Sequence, residues 1–157
     1  MRLLIICPHF EPDTAPTGDV MTRIVHELAA RGHELHVITS LPWYRHHAVE
    51  PEWRGRIIRR ERVSWGRITR IHPFPTSDKR NLVRRALSFG CFTGLATLLA
   101  VFSGRRAAVI AMSPPLTLGP AGWLAGLFLR IQRAHGDEAA LGGGIFFLAH
   151  GGLMMVA

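Results

Sequence analysis

The change of hydrophobic period within the first forty residues is the feature that most constrains this chain. "RLLIIC" (residues 2–7) contains an unbroken apolar run, the pattern of a strand buried on both faces. From Asp19 to Arg31 the period becomes helical. Val20, Ile24 and Leu28 fall four apart, with Met21 and Val25 beside them on one apolar face. Gly32 follows, where a helix ends on a left-handed residue. "ELHVITS" (34–40) is strand-like again. Strand, loop, helix and strand make a βαβ unit, whose crossover is expected to be right-handed. The expected class is α/β: a mostly parallel sheet with helices on both faces.

The rest of the chain continues the theme with less regularity. Residues 41–56 have no period and read as a surface excursion. Residues 57–75 suggest two short strands around Trp65-Gly66, and residues 81–103 form a long, mostly apolar stretch. "AAVIAMSPP" (107–115) is a further strand ending in prolines, and 116–131 reads as an apolar helix interrupted by Gly119 and Pro120. With 157 residues, 48% of them apolar, one domain is expected, burying roughly 70% of the unfolded surface. Cys7 and Cys91 lie in apolar runs, give neither a disulfide framework nor a zinc spacing, and fit a reducing cytoplasm. Only five apolar residues separate Arg2 from Pro8, too few for a signal peptide.

The loop after the first strand, "CPHFEPDTAPTGD" (7–19), carries prolines at 8, 12 and 16. In an open α/β sheet, ligands bind beyond the carboxyl ends of the strands, where the strand order reverses. With the order 3-2-1-4, the strand ending at Cys7 neighbours the one ending at Met112, and two proline-stiffened loops flank the crevice. Gly18 would let a ligand approach the backbone, and N–H groups at about 18–21 would suit an anion. His9, Glu11 and Asp13 share this loop, and solvated side chains are expected for all three. The loop has one glycine, not the three of the dinucleotide fingerprint, and no Walker A sequence occurs, so a tight NAD or ATP cradle is disfavoured.

"LLIICPHFEPDTAPTGDVMTRIVHELAARGHELHVITSLPWY" resembles the opening of a GT-B glycosyltransferase of the family 4 type, through its loop glycine and its "LAARGHE" helix end. "VIAMSPPLTLGPAGWLA" (109–125) resembles the later strand, "SPP" turn and helix of colanic-acid-type (WcaI-like) members. The resemblance covers about residues 2–128. It implies one half of a GT-B fold: an N-terminal, Rossmann-like domain facing the acceptor of a two-domain retaining glycosyltransferase. The family's second domain binds a nucleotide sugar, UDP- or GDP-linked, and carries two spaced glutamates. No other cofactor and no metal is implied. Gly18 matches the second glycine of the family's first loop. Thr17 stands where many members have another glycine, a departure at the point of closest phosphate approach. Ser113 and Pro114 match the second loop. The implied substrate-binding set is Thr17, Gly18, Asp19, Ser113 and Pro114, with no catalytic residue assigned.

Beyond about residue 128 both the resemblance and the hydrophobic period stop. Residues 129–157 are expected to be an atypical Gly-rich tail, poorly ordered, in a truncated or frameshifted product that binds but does not catalyse alone. "GIFFLA" (144–149) would either patch the open edge of the 107–112 strand or form a short apolar helix.

The charge pattern bears on partners. The net charge is +8, and from Arg45 to Arg85 there are 12 basic residues against four acids, with Trp43, Tyr44, Trp53 and Trp65 in or beside them. Such a stretch suits an anionic membrane surface or a solvated face of salt-bridged arginines. Nucleic acid is disfavoured, because no RNP, KH or zinc-finger pattern occurs. Residues 86–104 contain no charge over 19 positions, near the length of a membrane span, but Ser, Thr and Gly dilute them. A buried or interfacial helix is the favoured reading, with a small non-enzymatic membrane-associated protein as its rival. The expected location is the cytoplasm, against the inner face of the plasma membrane, and the expected partners are a nucleotide sugar and a glycan- or lipid-linked acceptor.

Overall fold

A computed structural model describes residues 1–75, 82–104, 106–112, 124, 126–128, 145–149 and 152–156. The elements run β1 (Arg2–Ile6), α1 (Pro16–Ala30), β2 (Glu34–Ser40), a short 3-10 turn (Pro51–Trp53), β3 (Ile58–Val63), β4 (Gly66–Ile71), α2 (Leu82–Val101), β5 (Ala108–Met112), β6 (Ile145–Ala149) and β7 (Gly152–Val156). Among the described residues the seven strands form one sheet in the order β3-β4-β2-β1-β5-β6-β7. β4, β2, β1, β5 and β6 pair in parallel, while β3 and β7 return antiparallel at the two edges.

Strand alternation divides the core between the two faces. Leu3, Ile5, Leu35, Val37 and Ile68 point to the face covered by α1, through Met21 and Val25. Leu4, Ile6, Ile38, Ile71 and Val109 point to the other face, covered by α2 through Phe92, Ala96 and Ala100. The expected helices on both faces are therefore present. The long apolar segment is α2, and it covers the sheet. No helix among the described residues is long and apolar enough to cross a membrane.

α1 starts on Pro16, whose fixed φ suits the first helical position, and ends at Gly32 with φ 78°. β3 and β4 are the two short strands expected around Trp65-Gly66, paired as an antiparallel hairpin whose turn is Ser64-Trp65, with Gly66 already in β4. Gly66 opens β4 with φ 145°, and a Cβ there would lie 2.0 Å from the carbonyl oxygen of Leu35, so only glycine allows β4 to close on β2. Beyond the break in sequence pattern, β6 pairs with β5 from Val109–Ile145 to Met112–Leu148. The "IFFLA" segment is thus a strand on the edge of β5, the first of the two expected alternatives.

The 41–56 excursion is pinned through Trp53. The Arg59 guanidinium lies 4.2 Å from the Trp53 ring centroid and that of Arg70 lies 5.1 Å from it. Glu61 accepts from Arg70 Nε at 3.1 Å and forms an ion pair with Arg59, whose Nε lies 3.2 Å away. Two of the arginines in the basic stretch are therefore engaged within the fold.

Candidate functional site at the carboxyl ends of the strands

β1 pairs with β2 on one side and β5 on the other, so the strand order reverses about β1. Ile6 lies opposite Ala111, which sets Cys7 and Met112 side by side at the strand ends. This is the switch point inferred from sequence. The 7–15 loop stands over it, and the 41–50 segment leaves the neighbouring β2 at the same end. Of the expected site residues, Thr17, Gly18 and Asp19 sit in the first turn of α1 at this end. Ser113 and Pro114 lie outside the described residues.

The 7–15 loop is tied down along its length. Ser40 Oγ donates to the Pro8 carbonyl. The Glu11 N–H donates to Thr22 Oγ1 at 3.1 Å, and the Glu11 carbonyl accepts from Arg70 Nη2 at 2.7 Å. Asp13, 3% exposed, takes the Tyr44 N–H on Oδ1 at 3.1 Å and His9 Nδ1 on Oδ2 at 2.7 Å. The His9 ring stacks on Trp43, with centroids 5.7 Å apart, and meets the Tyr44 ring edge-on at 5.5 Å. His9 and Asp13 are thus a fixed pair, not the solvated side chains expected from sequence. Glu11 does remain near the surface, paired with His26 at 2.9 Å.

Gly18 is buried, and the space left by its missing side chain is filled by this loop. A Cβ there would meet His9 Cβ at 3.1 Å and the Asp13 carbonyl oxygen at 3.3 Å. The N–H groups of Gly18 and Asp19 both donate to the Ala15 carbonyl, at 2.8 and 3.1 Å. Those two donors, expected to be free for an anion, are closed by the tight helix start that follows Pro16. Thr17 is half-buried, and Asp19 is exposed in the first turn, where its charge complements the helix dipole.

Sequence reasoning passed over Arg70, which supports the loop from below. Its side chain is buried, donates from Nε to Glu61 and from Nη2 to Glu11, and faces the Phe10 ring at 6.0 Å. The period-2 pattern of β4 places it on the same face as Ile68, but nothing local marks an arginine as buried. Cys7 lies beneath the loop, and burial pushes its thiol up to about 12 despite Thr39 and Arg70 nearby, which makes it inert as a nucleophile. Among the described residues no three His, Cys, Asp or Glu side chains converge as metal ligands. A hollow of about 680 Å³ lies between Gly32–Glu34 and Val63–Gly66, at the opposite end of the sheet. The strand-end rule favours the loop end as the site.

No family model matches the chain, and no curated protein matches it. Among solved structures it is similar to the catalytic domain of starch synthase IV from Arabidopsis thaliana bound to ADP and acarbose, with a TM-score of 0.54 and 14% sequence identity. The match covers 94% of this chain and 33% of that one, so the chain spans about a third of the length of the enzyme domain. At such identity the likeness concerns the fold alone: the chain has a Rossmann-like, GT-B-like α/β fold.

Proposed function

We propose that this chain forms the acceptor-side, N-terminal half of a retaining glycosyltransferase of the family 4 type, related to the colanic-acid (WcaI-like) enzymes. In this reading the complete enzyme moves a sugar from a UDP- or GDP-linked donor to a glycan- or lipid-linked acceptor at the inner face of the membrane, in polysaccharide biosynthesis. The observation that carries the reading is the 7–15 loop, built over the reversal of strand order in a fold shared with an enzyme domain bound to a nucleotide and an oligosaccharide. Position within the fold supports binding at this loop end. Sugar transfer needs donor and acceptor in near-attack geometry with water excluded, and in this reading the loop end supplies the acceptor wall of that cleft.

Amide chemical-shift mapping on the full chain tests the reading, with UDP, GDP and a panel of methyl glycosides as probes. The expected result is a cluster of shifts at residues 8–19 and 41–47. Shifts confined to the opposite end of the sheet, or none with any probe, would overturn it.

A further inference from the structure

The His9–Asp13 pair has a property that packing alone does not require. A buried carboxylate only accepts hydrogen bonds, and Asp13 Oδ2 lies 2.7 Å from His9 Nδ1, so the ring proton belongs on Nδ1. In the neutral ring the other nitrogen, Nε2, then carries the lone pair, and it makes no hydrogen bond among the described residues. Asp13 is itself held by the Tyr44 N–H on its second oxygen. Trp43 stacks on the ring and limits its rotation. Tyr44, 41% exposed, stands edge-on beside it and offers an apolar ring at the surface. An oriented acceptor atom next to an accessible aromatic face suits a sugar, whose hydroxyls donate and whose C–H faces lie against rings. A phosphate would meet the lone pair with its own lone pairs.

We infer that His9, oriented by Asp13, accepts a hydrogen bond from a hydroxyl of the acceptor sugar, which lies against Tyr44. This rests on the glycosyltransferase reading and specifies which substrate the loop holds. His9 and Tyr44 touch the sugar, whereas Asp13 and Trp43 position His9.

The test uses the full chain, labelled with nitrogen-15, and three probes: methyl α-glucoside, methyl α-mannoside and methyl β-galactoside. His9 should show the Nδ1–H form in the free protein, and a binding glycoside should move the Nε2 resonance while Nδ1 stays nearly fixed. His9→Phe, which keeps a ring against Trp43 but removes the acceptor, should weaken that glycoside about tenfold, as loss of one hydrogen bond predicts. Asp13→Asn should let the proton move to Nε2, visible in the same spectrum, and weaken binding comparably. Should Asp13→Asn unfold the chain, His9→Phe decides alone. If a glycoside binds at the loop with Nε2 unmoved and His9→Phe binds as the parent does, the inference fails while the glycosyltransferase reading stands. If a nucleoside diphosphate moves Nε2 and no glycoside does, the pair faces the donor and the inference also fails. If no probe binds, both fall.

Discussion

Gly18 and His36 show how single positions are constrained here. Gly18 lies in the first turn of α1 against the loop. Alanine there would gain helix propensity of up to about 1 kcal/mol, but its Cβ would press on His9 and Asp13 in a loop already tied at residues 8, 11 and 13. Gly18→Ala is expected to cost about 1 kcal/mol net, read by urea denaturation, with amide shifts concentrated at residues 9–13. His36 is buried on the α2 face and bonded through Nε2 to Thr69 at 2.9 Å. Burial first, then Arg67, Arg106 and Arg60, pulls its imidazole down to about 3. In the unfolded chain it titrates near 6.5. Between about 6.5 and 3 the unfolded state therefore takes up a proton that the folded state refuses, and stability falls as pH drops through that window. Denaturation midpoints measured across that range should fall less steeply for His36→Gln than for the parent. An identical slope would remove His36 as a cause. The surroundings of Gly18 and of Asp13 are not written locally. Gly18 looks like a ligand-approach glycine until His9 is seen against it, and Asp13 looks solvated until Tyr44, 31 positions on, supplies an N–H.

At the scale of elements, the hydrophobic period was a sound guide wherever one face of an element dominates. The switch from an apolar run to a four-residue spacing gave β1, α1 and β2, and Gly32 gave the helix end. Residues 86–104 were harder to read, because a helix lying on a sheet and one lying in a bilayer can share composition. Phe92, Ala96 and Ala100, spaced by four and buried against β1, β2, β4 and β5, show that the sheet is what this helix covers. The β3–β4 hairpin depends on a contact no local pattern encodes, the approach of Gly66 to the Leu35 carbonyl. Gly66→Ala combines a left-handed φ with a collision against backbone and is expected to cost about 3 kcal/mol or more. Calorimetry checks the size of the loss. Hydrogen exchange should show it first in the β2–β4 ladder.

Over the whole molecule, the parallel order about β1 was readable because two strands end in proline-bearing loops, which suggested neighbours at a reversal. The contribution of residues 145–149 and 152–156 was not, since their strand character emerges only through the pairing of β6 with β5 and of β7 with β6. Ending the chain at residue 144 would strip β6 and β7 from the sheet and leave the β5 ladder open. An open parallel edge recruits other chains. The shortened form is expected to self-associate, measured by light scattering against the full chain at equal concentration. A monodisperse shortened form would mean that β6 is dispensable as an edge cover.

The Arg70 guanidinium joins a strand, a hairpin carboxylate, an indole and the Glu11 carbonyl. Such a rivet leaves the loop little freedom to swing as a hinged flap. A guest held by this loop would meet it already in its final shape, so the loop's share of selectivity would come from rejecting misfits at the door rather than from closing over the right guest.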